Sequence, residues 1–309
     1  MNVGLIDVVV VILGLIFGSF LSVCVYRIPL GRATGLDELE YEDDESQEEE
    51  AETRDLNSDF FENRVTIMYP PRSFCPNCGT QLQWRYNIPV FGWILLRGRS
   101  ACCQKPISWR YPFIELLSAA AAWGAYALFD PVTAVAAYIF AATLIVISFI
   151  DIDYFIIPNV ITYPGFVLGL LFGVEQHLYG LVQSPPFVSN FYDSVLGVVF
   201  GAGILLLISG FYTFVRKKQG LGMGDVKLLA VTGAFFGVSG AFYTIFVGSL
   251  VGSLLGIALV LIGKGKWSNY LPFGPYLAIA NALYLFMAPD FFALMANPEA
   301  FPIPGGLHG

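Results

Sequence analysis

The sequence predicts an all-α polytopic membrane protein of about eight transmembrane helices, with a small cysteine-containing cytoplasmic subdomain between helices 1 and 2. Of its 309 residues, 56% are hydrophobic and only 13% are charged. Soluble domains carry about 25% charged residues, so a soluble fold is excluded. Several apolar runs also approach the roughly 20 residues that cross a bilayer as a helix.

The spans follow from the lengths of these runs. Residues 1–26 form the first transmembrane helix, and residues 111–295 form a seven-helix membrane domain. A cleaved signal peptide is the alternative for the first run, but such a peptide begins with positive charge. Here the first base, Arg27, follows the apolar run. The predicted spans, each within a few residues, are 3–26, 111–129, 132–150, 160–175, 194–214, 226–239, 241–263 and 274–295.

The basic residues predict the orientation. All 16 Lys and Arg residues lie in the loops 27–110, 151–159, 215–225 and 264–273 or within two residues of one. Basic loops stay in the cytoplasm, so we expect the N-terminus outside, in a cytoplasmic (inner) membrane, and a tail at 296–309 on the outer side.

The acidic balance comes from one insert at 27–64, which we expect to be cytoplasmic and disordered. Its run Asp37–Glu52 alone holds eleven of the 24 acidic residues. Without them 16 bases face 13 acids, so the net charge of −8 says nothing about nucleic acid, which we do not expect as a partner. The predicted partners are the lipid bilayer and the substrate.

Two aspartates reach the cytoplasmic ends of predicted helices. Asp151 ends an inward-going span, and Asp225, in Gly222-Met-Gly-Asp225, begins an outward-going one. Two close carboxylates can share a proton and act as general base and general acid on a water. The alternative is that each merely caps a helix in contact with water. Asp153 is interpreted as structural or supporting, and Pro158 as a helix break that leaves room for an extended substrate.

Four of the five cysteines, Cys75, Cys78, Cys102 and Cys103, fall in the subdomain at 65–110. A cytosolic loop disfavours disulfides, and paired cysteines suggest tetrahedral Zn²⁺. Neighbouring Cys102 and Cys103 are a poor chelate because their side chains diverge. Either the loop bends so that Cys102 binds, or three thiolates act with another ligand. The alternative is a metal-free subdomain held together by its tryptophans, Trp84, Trp93 and Trp109.

Together these stretches resemble the type IV prepilin peptidases, bacterial GxGD aspartic membrane proteases of pilin and type II secretion systems. The resemblance covers nearly the whole chain except the acidic insert. The family's second cysteine pair is spaced CxxC, and here Ser100 stands where its first cysteine is expected. The segments that carry the resemblance are 18–29, 75–78, 87–89, 96–99, 106–116, 151–159, 222–227 and 271–275.

The resemblance implies that Asp151 and Asp225 are catalytic. It implies cleavage of the basic leader from prepilins or pseudopilins after a glycine, followed by N-methylation with S-adenosylmethionine. We assign supporting or substrate-binding roles to Gly222, Gly224 and Asp153 and, as hypotheses, to Lys227 and Glu115. An intramembrane carboxylate such as Glu115 is costly, so we expect it to bind a leader or the new amine. Two other functions stay open: a membrane protease without methylation, and a transporter with a zinc-binding loop.

Overall fold

The computed structural model describes residues 4–30, 72–75, 77–182, 186–217, 222–262 and 272–296, with side chains up to Met287 in the last helix. Within these ranges the chain forms eight α-helices and no β-strand, so the predicted all-α class is confirmed. The acidic insert beyond residue 30 and the tail beyond Ala296 lie outside the described residues, so the predicted disorder stays a prediction.

The helices follow the predicted spans closely. Four of them, α1, α4, α6 and α7, are long and apolar enough to cross a membrane, and the part of α8 with described side chains, Gly274–Met287, is apolar as well. A 3-10 helix, Trp84–Asn87, precedes the short α2. The α-helices are α1 (Leu5–Arg27), α2 (Phe91–Leu95), α3 (Arg110–Leu128), α4 (Pro131–Tyr154), α5 (Asn159–Leu178), α6 (Phe191–Arg216), α7 (Met223–Leu261) and α8 (Gly274–Ala296).

Helix α1 packs closely on α3 through small residues. A Cβ on Gly14 would lie 2.7 Å from Cα of Ala119, and one on Gly18 would lie 2.6 Å from Cα of Glu115. The hydroxyl of Ser118 donates to the carbonyl of Gly14 across this interface, at 2.8 Å. Small residues allow such backbone approach between helices in lipid, where the hydrophobic effect no longer drives helices together.

The core lies between α4, α7 and α8. The ring of Phe140 on α4 meets Phe236 on α7 edge to face, with centroids 4.7 Å apart, and Phe236 in turn contacts Tyr284 on α8. All three side chains are buried in one apolar cluster. This packing fixes the positions of the three helices that carry the candidate site.

Helix α7 consists of two arms that meet at Gly237, whose backbone is not helical (φ 68°, ψ −164°). The second arm runs back along α8, because Thr244 bonds to Asn281 and a Cβ on Gly252 would lie 2.9 Å from the ring of Tyr276. The start and the end of α7 therefore lie toward the same end of the molecule. This explains why the sequence predicts two spans, 226–239 and 241–263, within the 39 residues of α7.

Neighbouring groups take up backbone carbonyls that the break at Gly237 leaves without helical partners. The hydroxyl of Ser194 donates to the carbonyl of Ala234 at 2.8 Å, and the amide of Val188 donates to the carbonyl of Phe235 at 2.9 Å. Non-helical backbone at membrane depth is tolerated when protein groups satisfy it in this way.

Candidate active site

Asp151 lies in the last turn of α4 and is buried. The helix ends three residues later, where Phe155 takes a left-handed conformation and its amide donates to the carbonyl of Asp151. The amide of Gly274, the first residue of α8, donates to Oδ2 of Asp151 at 3.0 Å. The start of α8 therefore fixes one oxygen of this carboxyl group.

Asp225 is the third residue of α7 and is also buried. Its amide donates to the carbonyl of Gly222 at 3.2 Å, which closes the first turn of the helix. A carboxylate in this position is favoured by the positive end of the helix dipole. Asp225 and Asp151 interact electrostatically, so the two carboxyl groups share one buried environment.

Ile157 and two glycines bring the two aspartates together. A Cβ on Gly224 would lie 2.9 Å from Cβ of Ile157, and one on Gly274 would lie 3.2 Å from Cδ1 of Ile157 and 2.7 Å from Oδ2 of Asp151. Glycine is required at both positions for the helix starts to come this close. The motif Gly222-Met-Gly-Asp225 thus has a structural reason for its second glycine.

The helix break after Asp151 agrees with the prediction from Pro158. Residues 155–158 form no regular secondary structure, and Pro158 directly precedes the first residue of α5. This segment borders the aspartates. Because its backbone groups are not bonded within a helix, an extended peptide could lie along it.

The two other charged residues near the aspartates have partners of their own. Asp153 forms an ion pair with Arg110 at the start of α3 and is partly exposed. The amine of Lys227 donates to Asn159 at 2.7 Å and lies over the ring of Tyr163. These contacts join the ends of α3, α4, α5 and α7 around the aspartates.

Glu115 lies apart from this pair, on α3, where it contacts α1 and the cysteine subdomain. It is buried, accepts a bond from the amide of Val90 at 2.7 Å and interacts with the hydroxyl of Ser19. Among the described residues, Glu115 makes no direct contact with Asp151 or Asp225. Its expected role toward a leader or an amine therefore stays a prediction.

The cysteine subdomain contains two equivalent turns. The amide of Cys75 donates to the carbonyl of Thr80, and in the same relation the amide of Ser100 donates to the carbonyl of Lys105. Ser100 therefore occupies the place that matches Cys75, as its spacing indicates. Cys102, which lies within the second turn, supplies the sulfur that Ser100 lacks.

All four cysteines meet in one cluster, with their sulfur atoms within 4.8 Å of one another. The sulfur of Cys75 lies 3.7 Å from that of Cys103, and the sulfur of Cys78 lies 3.1 Å from that of Cys102. The neighbouring side chains do diverge, but the loop bends and each finds a different partner. Ser100 is close as well, with Oγ 3.0 Å from the sulfur of Cys102.

The exposed pair of sulfur atoms has unequal proton affinities. Hydrogen bonds with Thr80 and then with Cys102 lower the pKa of Cys78 to about 6. The bond with Ser100 lowers the pKa of Cys102, but Cys78 and burial raise it, to about 11 overall. Without a metal, Cys78 therefore loses its proton more readily than Cys102. A metal ion binds thiolates, so its binding to this cluster would displace the protons that remain.

Sequence reasoning missed two contacts of the site. Gly274 falls within the segment 271–275 that carries the resemblance, and nothing in the local sequence indicates that its amide meets Asp151. The contact between Asp153 and Arg110 was also missed, although opposite charges at the ends of successive helices could have suggested it. Of the tryptophans, Trp93 donates to a backbone carbonyl within the subdomain, but Trp84 is 80% exposed and does not hold it together.

Two protein families match this chain. Residues 12–129 match the family described as Bacterial Peptidase A24 N-terminal domain, and residues 138–257 match the Type IV leader peptidase family. No solved structure matches the chain.

Several relatives share the name prepilin leader peptidase/N-methyltransferase. One from Burkholderia pseudomallei (strain 1026b) is 34% identical over 93% of this chain and 87% of its own length. One from Aeromonas hydrophila is 35% identical over 89% of each chain, and one from Neisseria gonorrhoeae is 34% identical over 90% and 89%. From these matches, the chain belongs to the type IV leader peptidase family.

Proposed function

We propose that this protein cleaves the leader peptide of type IV prepilins or pseudopilins and N-methylates the new N-terminal residue, with Asp151 and Asp225 as the catalytic pair. The relatives' shared name supports both activities. The observation that carries the proposal is the meeting of two buried, interacting carboxyl groups at the ends of α4 and α7.

The pair performs aspartic-protease chemistry. The ionised carboxyl group takes a proton from a water, whose oxygen attacks the carbonyl carbon of the scissile bond. The protonated partner then donates to the leaving nitrogen, and the carbon–nitrogen bond breaks. The amide of Gly274 holds Oδ2 of Asp151, so Oδ1 is the oxygen that faces the water.

The charge asymmetry of the loops supports a cytoplasmic-facing site in the inner membrane, with the N-terminus outside. The ion pair of Arg110 with Asp153 and the contact of Lys227 with Asn159 keep basic residues at the end that carries the aspartates. A basic leader in the cytoplasm then reaches Asp151 and Asp225 without crossing the bilayer.

The cysteine cluster fits a structural Zn²⁺. Tetrahedral zinc with Zn–S bonds of about 2.3 Å places its sulfur ligands about 3.8 Å apart. The sulfur atoms of Cys75, Cys78, Cys102 and Cys103 lie within 4.8 Å of one another, which agrees with that geometry. The metal would join the two turns of the subdomain, and a closed set of four thiolates leaves no position for a catalytic water.

Methylation of the new amine implies S-adenosylmethionine as the methyl donor, as the relatives' name indicates. The donor supplies an electrophilic methyl group on a sulfonium. The chain itself must bind this donor, hold the amine beside it and exclude water.

The test is cleavage of a synthetic prepilin by the purified protein with labelled S-adenosylmethionine. Asp151→Asn and Asp225→Asn should each lower the cleavage rate by at least about a thousandfold. Asp193→Asn is the matched control, because Asp193 is the third residue of α6 as Asp225 is of α7, but lies at the opposite end. Near-normal cleavage by either aspartate variant would refute the catalytic pair, and cleavage without label transfer would leave a peptidase alone.

A further inference from the structure

A cavity of about 350 Å³ lies between the end of α1, the start of α3 and the cysteine subdomain. Its volume falls within the roughly 300–1,000 Å³ of small-molecule sites. Glu115 and Arg27 both line it, whereas Asp151 and Asp225 do not. The cavity is therefore distinct from the aspartate pair.

Two buried side chains of opposite charge define the chemistry of this cavity. Arg27 and Glu115 are each only 7% exposed. Arg27 donates to the carbonyl of Arg72 at 3.4 Å and lies over the ring of Phe74. Burial of charged groups is costly, and perturbed ionisable groups that line a cleft are candidates for a functional site. A ligand in this cavity would therefore lie beside both a cation and an anion.

Aromatic side chains form part of the wall of the same cavity. Tyr26, Phe74, Tyr86 and Trp93 line the cavity. Aromatic faces stack on planar heterocycles and attract cations such as a sulfonium. A ligand that fits this wall carries a carboxylate, a positive charge and a planar base.

We propose that this cavity binds S-adenosylmethionine, with Arg27 facing its carboxylate, Glu115 facing its positively charged end and the aromatic wall taking the adenine. This inference rests on the proposed function, which requires such a methyl donor. It gives Glu115 a role toward the donor, in place of the expected role toward a leader or an amine.

A second cavity, of about 170 Å³, lies beside the first. It shares Tyr26 and Tyr111 with the first cavity, and its other side is lined by Asp153 and Tyr154 at the end of α4. Asp153 is two residues from Asp151. The second cavity therefore lies between the proposed donor site and the last turn of α4.

The transfer balances without a further reagent. The lone pair of the pilin amine forms the new nitrogen–carbon bond while the sulfur–carbon bond of the sulfonium breaks and its electron pair stays on sulfur. The products are a neutral thioether and a methylated ammonium, which loses its extra proton to water. Arg27 and Glu115 position the donor, and neither is consumed.

The deciding experiment is direct ultraviolet cross-linking of labelled S-adenosylmethionine to the wild-type protein in lipid nanodiscs, with the labelled peptides mapped by mass spectrometry. The label should fall within residues 19–27, 74–93 or 106–115, and excess S-adenosylhomocysteine should remove it. Specific labelling confined to α5–α8 would overturn the cavity assignment.

Affinity measurements on variants give a second readout. Glu115→Gln and Arg27→Met should each weaken S-adenosylmethionine binding by about tenfold or more, as loss of a charge-assisted contact does. Glu175→Gln is the matched control for Glu115→Gln, since Glu175 also accepts a backbone amide bond but lies at the other end of the bundle. Arg216→Met is the control for Arg27→Met, because Arg216 is exposed at the end of α6 and does not line the cavity.

The cleavage rate separates the two levels of the argument. Unchanged S-adenosylmethionine affinity in Glu115→Gln would overturn the assignment. Wild-type protein that cleaves and binds the donor elsewhere would overturn the cavity but keep the proposed function. Wild-type protein that neither cleaves nor binds would refute the proposed function itself.

Discussion

Gly274→Ala would place a methyl group against the carboxyl group of Asp151. The added Cβ would lie 2.7 Å from Oδ2 and 3.0 Å from Cγ of Asp151, and 3.2 Å from Cδ1 of Ile157. The closest of these is roughly 0.7 Å short of an ordinary van der Waals contact, which starts at 3.4 Å. Either the start of α8 or the carboxyl group must move by about that distance, and the bond from the amide of Gly274 stretches or breaks.

A displacement near 1 Å at a reacting group costs about a hundredfold in rate. We therefore expect kcat for prepilin cleavage to fall about a hundredfold, with KM changed by less than about threefold, because the substrate contacts outside the pair remain. The assay is steady-state cleavage of a synthetic prepilin by the protein in nanodiscs, with unchanged S-adenosylmethionine binding as evidence that the fold is intact.

Gly203→Ala on α6 is the matched control, because a Cβ there would meet nothing within 4 Å. This variant should keep the wild-type rate. A Gly274→Ala protein with wild-type kcat would show that the amide of Gly274 does not position Asp151, and the account of the site would be wrong at that point.

Three further outcomes follow from the contacts. Cys102→Ser should lower bound zinc, measured by atomic emission, and adding Ser100→Cys should restore it, because Ser100 holds the position equivalent to a first cysteine; no recovery would contradict the two-turn description. In metal-free protein, pH 7 is above the pKa of Cys78, about 6, so Cys78 is a thiolate. The same pH is below the pKa of Cys102, about 11, so Cys102 stays a thiol. Cys78 should thus be alkylated first, as mass spectrometry would reveal, and the reverse order would contradict the assignment. Gly197→Ala should destabilise the bundle by about 1–3 kcal/mol in a thermal melt, because its Cβ would overlap the carbonyl of Gly233 on α7.

The meeting of Asp151 and Asp225 was predictable because it depends on counting spans and charges. Asp151 follows an apolar run and Asp225 precedes one. The basic loops then predict that both lie on the same side of the membrane. The two short spans on either side of residue 240 were predictable for the same reason. In the structure they are the two arms of α7, which meet at the break at Gly237.

The finer geometry was beyond the sequence because it depends on contacts between distant segments. The amide of Gly274 comes from 123 residues beyond Asp151. Likewise, no spacing rule shows that adjacent Cys102 and Cys103 reach opposite sides of one cluster, since this needs the bend of residues 99–106. Packing decides such contacts, and a pattern of apolar residues does not encode it.

On the side of the aspartates, α6 and α7 extend past the carboxyl groups. Their length sets how much substrate must enter before its scissile bond reaches the aspartates. Leu205 of α6 packs with Val226, level with Asp225, yet α6 continues to Arg216. The second arm of α7 likewise passes Tyr276 at Gly252 and continues to Leu261. At 1.5 Å per helical residue, both ends project about 15 Å beyond the carboxyl groups. A peptide that enters over these ends needs about five extended residues, or about ten helical ones, before its scissile bond reaches the aspartates.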